Sequence, residues 1–449
     1  MRRPGIRSLA GGAAGIAAGV IGGVALTAVS AAGPPAAPSP PAVIDAAHVP
    51  PLLRLPGEPV RLRYAIVCAP RADGLPCDGS GTVHIRAGDA GPFRALPLAR
   101  GEESKDGRYF ADVPPELATG PFSYYAVLRD ASTGTAVTVP SGGAAAPQVS
   151  LALRDPLVVD LGRHVFGRIR TPDARVVEAA WGSAPNEVGL AGSREAGYSG
   201  PSSFDVEGDG TVDVLDSVNG RVMRSQNRRV QLVPLDRQSE LADFAAEPDG
   251  SFDLLESNGA LRRYRGDGTP AWTQQLADRT WAKLARGPSG PVVLQQPSEQ
   301  WMPVADRAVP LTRAEQAHAA YAGKPAADGR DLVVERAGTG ELRIAETAGR
   351  SVLRAWRITS ETPLGEVQLA EPRGDAVVVV TRAYTDDRDE FVVLVLDRNG
   401  LADSFSVASD SWTETAPLAR FRLAAGGLYR LHTAQAGAAV DRFDLEVPR

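Results

Sequence analysis

The feature that most constrains this chain is a spacing. Gly210, Gly250 and Gly290 stand forty residues apart. Phe204, Phe244 and Leu284 fall six residues before each glycine. The run from Thr211 to Ser217 (TVDVLDS) lies over Ser251 to Ser257 (SFDLLES) without a gap. Around the first glycine the residues 200–224 alternate in the manner of strands, with turns at Asp209-Gly210 and Asn219-Gly220. Two Asx-Gly turns flanked by alternating apolar residues are a strong short-range signal for consecutive hairpins. Fainter copies follow at Asp328-Gly329, Arg373-Gly374 and Gly426-Gly427. A period near forty with about four short strands per unit predicts a β-propeller. One such sheet cannot cover both its faces, and a ring of them can.

The Gly-His and Trp-Asp marks of WD repeats are absent. The first unit instead resembles the NHL repeat family. It carries Gly200-Pro201, Asp209-Gly210, Asp216-Ser217, Asn219 and Arg221-Val222 at that family's positions. The likeness fades after the second unit. The resemblance implies six blades, and the count of glycine turns agrees. The expected fold class is therefore all-β, with a β-sandwich followed by a six-bladed β-propeller.

Taken in order, residues 1–32 read as a signal peptide or an uncleaved N-terminal anchor. They have a basic start (Arg2, Arg3, Arg7), an Ala/Gly/Val/Ile run and small residues at its end. Residues 33–51 are a Pro/Ala-rich linker. Residues 52–142 hold six alternating runs between turn residues and predict an Ig-like or fibronectin-like sandwich. Tyr124-Tyr125 on its late strand should point to opposite faces. Residues 143–148 read as a second linker and 149–449 as the propeller. RVVEAAWG (175–182) is expected to supply the closing strand of the last unit, which otherwise keeps an open edge. Thr312 and Glu315 predict a capping box opening a short helix that stops at Gly323.

Cys68 and Cys77 are the only cysteines. In an exported chain they are expected to form one disulfide closing a short loop. The formal charge is −6. Removing the three arginines of 1–32 from 48 basic residues leaves 45 against 54 acidic ones, −9. No Lys/Arg stripe remains, which argues against nucleic acid as a partner. Contact with a membrane is expected only through an uncleaved N-terminal segment. Abundant arginine, scarce lysine and heavy Ala, Gly and Pro suggest a high-GC bacterial gene.

Candidate chemistry is sparse. Asp205, Glu207 and Asp209, followed by Gly210, place oxygen ligands at alternate positions, as at the start of a calcium loop; the competing reading is a plain hairpin. No other cofactor is expected. The acidic tip 385–390 is either a cation site or a solvated turn. Some NHL-type propellers are zinc lyases with axial histidines. Here only His164, His318 and His432 stand in the propeller region, and they share no repeat position. No HExxH, GxSxG or Walker loop occurs, so no catalytic residue is assigned. Trp301 and Trp412 stand in polar settings and are the tryptophans expected to contact a ligand. The reading is an exported, secreted or cell-surface binding protein. Its partner is expected to be an envelope or extracellular protein, or a glycan, held on one face of the ring. The alternatives are an extracellular metal-dependent lyase or hydrolase on the same ring, and a passive envelope scaffold.

Overall fold

The computed structural model describes residues 45–67, 79–100, 108–130, 134–193, 195, 197–227, 229–236, 242–276, 281–295, 300–326, 328–415, 417–424 and 426–446. Residues 1–32, read from the sequence as a signal peptide or anchor, most of the expected first linker, and Cys68 and Cys77 lie outside the described residues. The expected disulfide is among the features outside them.

The chain is all-β. In the N-terminal part all six expected strands form: Arg61–Val67, Gly79–Ala87, Arg94–Pro97, Arg108–Asp112, Phe122–Asp130 and Ala136–Val139. They divide between two sheets that face each other across one core of Leu62, Tyr64, Val83, Ile85, Tyr109 and Tyr124. Tyr124 is buried in that core, while its neighbour Tyr125 stacks on His84, ring centroids 4.7 Å apart.

Two expectations about the linkers differ from the structure. Asp45–Ala47, placed in the Pro/Ala linker, pairs as a strand with Arg61–Val67. The next residue explains this. His48 is buried, stacks on Tyr64 at 4.2 Å and bonds the Tyr124 hydroxyl at 2.8 Å. The second difference concerns 143–148. Gly143–Ala145 is a 3-10 turn, and Gln148–Ala152 is a strand of the N-terminal sheet, paired with Phe122–Asp130 and Leu53–Arg54. Leu151 of this strand and Leu153 just after it join Leu52 and Leu53 against Val333, Ala345 and Ala355 of the later part. Arg343 fastens the same junction, donating to both oxygens of Glu58 at 2.6 and 2.9 Å. The stretch is short and small-sided because it is packed.

From residue 203 onward the chain forms successive antiparallel meanders. The first comprises Ser203–Val206, Val212–Asp216, Arg221–Gln226 and Arg229–Pro234. The second comprises Ala242–Ala246, Phe252–Glu256, Ala260–Tyr264 and Pro270–Gln275. The third, Trp281–Gly287, Gly290–Gln295 and Gln300–Pro303, has three strands among the described residues. The fourth is Lys324–Pro325, Asp331–Gly338, Glu341–Ala348 and Ser351–Thr359. The fifth is Leu364–Arg373, Ala376–Tyr384, Asp389–Asp397 and Gly400–Ala408. The sixth is Phe421–Ala424, Gly427–Ala434 and Gly437–Phe443.

The repeat marks do what their spacing requires. Gly210 and Gly250 take φ of +87° and +79°, a region that costs glycine nothing and a side chain a good deal. Phe204, Phe244 and Leu284 are all buried. The sixth meander is completed from upstream: Ala174–Trp181 pairs antiparallel with Gly437–Phe443, covering the edge as expected. One addition was not foreseen. Leu157–Asp160 lies parallel to Ser351–Thr359 on the outer edge of the fourth meander.

The helix Arg313–His318 stands between the third and fourth meanders, with the Thr312/Glu315 capping box formed in both directions. It ends at Ala319 rather than Gly323. The leading strands lie side by side, Ser203–Val206 between Ala242–Ala246 and Phe421–Ala424, and Leu364–Arg373 between Asp331–Gly338 and Phe421–Ala424.

Candidate functional site at the axis of the meanders

The leading strands enclose a cavity of about 430 Å³ lined by residues of the second to sixth meanders. Beside it lies a mouth of about 910 Å³ that shares Asp243, Lys283, Glu366, Gln368 and Leu418 with it. Polar side chains on otherwise apolar strands build its wall. Asp243 accepts from the Ser203 hydroxyl at 2.7 Å and from the Leu284 amide at 2.8 Å, so one carboxylate links three leading strands. Asp205 accepts from its own strand at Val206 and from Ala246 next door, each at 2.9 Å. Arg422 closes the group from the sixth meander. It donates to the carbonyls of Phe204 and Phe244 at 2.9 and 2.8 Å and lies 3.3 Å from Asp243. Burial works against the Arg422 charge, yet Asp243 and Asp205 outweigh it and hold the guanidinium above its usual range. Burial pushes the Asp205 carboxyl up, only partly offset by Arg422 and the two amides.

Farther along the wall, Lys283 meets Glu366 at 3.6 Å and Lys324 is paired with Glu371. At the mouth Arg382 pairs with Asp389 at 2.7 Å and Arg430 with Asp410 at 3.1 Å. Arg420 differs. Its guanidinium sits over the Phe391 ring at 5.6 Å and has no hydrogen-bond or ion-pair partner among the described residues. Burial lowers its pKa most; Glu366 and Asp389 nearby oppose the shift, while Arg430 and Arg382 add to it.

The residues singled out from the sequence are scattered. Trp301 lines the axial cavity, with the Lys324 ammonium 5.7 Å from its ring. Trp412 is half-buried beside the mouth, stacked on Tyr198 at 4.9 Å and 5.8 Å from Trp181. Asp205, Glu207 and Asp209 are each engaged separately. Asp205 is held by the leading strands, as above. Glu207 lies 3.3 Å from Arg224, and Asp209 caps the Thr211 amide at 2.9 Å and accepts from Gln226. Glu390 of the acidic tip is buried, accepting from the Gly167 amide and bonding His164 at 2.9 Å. His432 bonds Asp441 at 2.8 Å, and His318 lies on the helix. The three histidines do not meet, and among the described residues no group of three or more His, Cys, Asp or Glu is placed to hold a metal ion.

Sequence reasoning missed Asp243, Lys283, Arg420 and Arg422. A signal existed for two of them. Ser203, Asp243 and Lys283 all stand seven residues before a repeat glycine, polar in the middle of an apolar strand.

No family model matches this chain, and no curated protein matches it. Among solved structures it is similar to virginiamycin B lyase from Staphylococcus aureus, at 9% identity and a TM-score of 0.34, over 55% of this chain and 95% of that one. It is also similar to BamB from Moraxella catarrhalis, at 11% identity and a TM-score of 0.24, over 61% of this chain and 98% of that one. Likeness at these scores leaves the chemistry of the axial mouth to be read from its own residues.

Proposed function

We propose that this chain is an exported, non-catalytic binding protein. In this reading the meanders are the blades of a six-bladed, NHL-like propeller closed by Ala174–Trp181, and the N-terminal sheets are an Ig-like sandwich docked on it. The partner, an envelope or extracellular protein or a glycan, is held at the axial mouth. The observation that carries the proposal is the state of the charges there. The flanking carboxylates Glu366, Asp389 and Asp410 are each ion-paired to another cation, while Arg420 stands on an aromatic ring with Glu366 and Asp389 only near it and no carboxylate in direct contact among the described residues. A half-buried guanidinium without a direct ion pair is costly to keep unless a partner supplies one. Rigid strands that hold many side chains around one opening suit recognition.

The test is binding of labelled full chain to envelope fractions and to a glycan array, alongside R420E. The expected result is saturable binding reduced at least tenfold by R420E and unchanged by D328R, a charge reversal at the far end of the axis. Equal binding by wild type and R420E would sink the mouth as the site. Metal content of the mature chain separates the alternative: stoichiometric zinc would favour the metal-dependent lyase, and calcium alone would favour a structural ion near Asp205 and Asp209. The proposal expects neither.

A further inference from the structure

A second cavity, of about 580 Å³, shares Leu52 and Val333 with the axial cavity and lies where the N-terminal sheet meets the third and fourth meanders and the helix Arg313–His318. Its apolar lining includes Leu52, Leu151 and Val333. Asp331 stands two residues before Val333 on the same strand, Asp331–Gly338, and lines the same cavity. Asp331 is buried, and the one hydrogen bond its carboxylate accepts among the described residues is a long one, 3.3 Å from the Ala322 amide. Among the described residues it has no ion pair, although His318 also lines the cavity. Arg350, the only Lys or Arg on the cavity wall among the described residues, is turned to Asp89. Burial therefore pushes the Asp331 carboxyl up to about 6, which still leaves it charged for the most part at neutral pH.

The neighbours share its character. Gln300 lines the same cavity, and its Oε1 is buried without a hydrogen-bond partner. Thr347, opposite Asp331 in the strand register, is fully buried with its Oγ1 also unpartnered. Tyr321 brings an aromatic ring and a hydroxyl whose pKa burial and Asp331 both raise. A buried anion without a counter-charge, beside an orphaned acceptor and an aromatic ring, matches the needs of an ammonium group. An ammonium has three donors and no acceptor, and it gains from an aromatic face. The apolar lining of Leu52, Leu151 and Val333 suits a short aliphatic chain, and the volume is that of small-molecule sites.

We propose that this junction is a binding site for a small aliphatic primary amine, with Asp331 as counter-ion, Gln300 Oε1 as a second acceptor and Tyr321 as the aromatic wall. The site is independent of the axial mouth. Because Leu52 and Leu151 come from the N-terminal sheet and Asp331 from the fourth meander, an occupant would bridge the two parts of the molecule.

The test is calorimetric titration of the full chain with putrescine, n-butylamine and, as the uncharged control, n-butanol. The expected result is one saturable site for the amines and none for the alcohol, with D331N weakening the amines at least tenfold and R420E leaving them unchanged. Absence of saturable amine binding would overturn the proposal, and so would binding that D331N leaves intact. If D331N does not fold, Q300L serves instead: a loss of threefold or more is expected, and an unchanged affinity would overturn the assignment. Stronger binding of the diamine than of butylamine would place a second acceptor at the far end of the cavity. Equal binding would confine recognition to one ammonium. Either result upholds the site, and loss of the R420E contrast would reject its independence from the mouth.

Discussion

The first two meanders and the fifth solve the same packing problem with opposite materials. In the first, Asp213 is fully buried in the second strand and takes Arg224 through two bonds of 2.9 and 3.0 Å, with Glu207 beside them. The second repeats this forty residues on, with Asp253, Arg263 and Glu247. The fifth meander has no such group at the matching place. Val377 and Val379 face the fourth meander's core, with Leu394 and Leu396 across the register. Val378 and Val380 face the sixth meander's core, with Val393 and Val395. A strand covered on both faces needs no alternation, which is why VVVV reads as an unbroken run. Buried ion pairs contribute little net stability but penalise a wrong pairing heavily. Valine faces reverse the balance. Each ion pair joins neighbouring strands of its own meander and so favours one register, and the apolar faces supply more of the adhesion between sheets.

The largest test of this contrast is D213A. It leaves the Arg224 guanidinium without its main partner and should cost about 3–5 kcal/mol in denaturant unfolding, whereas Asp213→Leu combined with Arg224→Met should recover most of that loss. Recovery to the wild-type midpoint shows that the pair supplies specificity rather than stability. In the fifth meander L394A should cost about 2–5 kcal/mol, as a cavity effect, and should be indifferent to salt. A salt-dependent loss there would break the comparison.

Acidity sharpens it further. Burial, with Asp213 next to it, pushes the Glu207 carboxyl up to about 7, because Asp213 already occupies most of Arg224. The folded state then holds this proton more tightly than the unfolded one. Its contribution is fully present below about pH 4.5 and lost as pH rises through about 7. E207Q should therefore match wild type at pH 4 and exceed it by about 1 kcal/mol at pH 8, a figure reduced for solvent screening. The cost of L394A should stay constant over the same range. The smallest effect is expected from D209A, which removes the cap on the Thr211 amide at an exposed turn, about 0.5 kcal/mol by thermal melting. The corresponding turn of the fifth meander, Arg373-Gly374, has no such cap to lose.

The same contrast explains what could be read in the chain. Turn glycines and buried repeat aromatics obey local rules, so the meanders, the capping box at Thr312 and the closing strand were legible. The six N-terminal strands were legible for the same reason. The folding of Asp45–His48 was not, because it depends on a slot between Tyr64 and Tyr124 that only tertiary structure makes. Nor was the strand Leu157–Asp160, whose partner stands about two hundred residues on. Of the residues singled out, Trp301 lines the axial cavity, but the polar groups around it were not foreseen. Arg422 and Asp243 are 179 residues apart and have meaning only where their strands converge. Asp331 was part of an apparently ordinary apolar strand, DLVVER, and its isolation from any cation is invisible until the neighbours are placed.

The closing strand has a consequence in time. Arg175 is bonded to Asp441 across 266 residues of chain. At an elongation rate of about 5–20 residues per second, the first partner waits roughly 13–53 s for the second to be synthesised. Throughout that interval the edge of Ala174–Trp181 that Gly437–Phe443 later covers has no partner, while the end of its other edge has Glu187–Val188 close by in sequence to pair with. Pairing with another chain's equivalent strand is the hazard such an edge presents. The alternating charges on the strand, Arg175 and Glu178, stand on its exposed face and oppose a flat apolar association while the last meander is still to come.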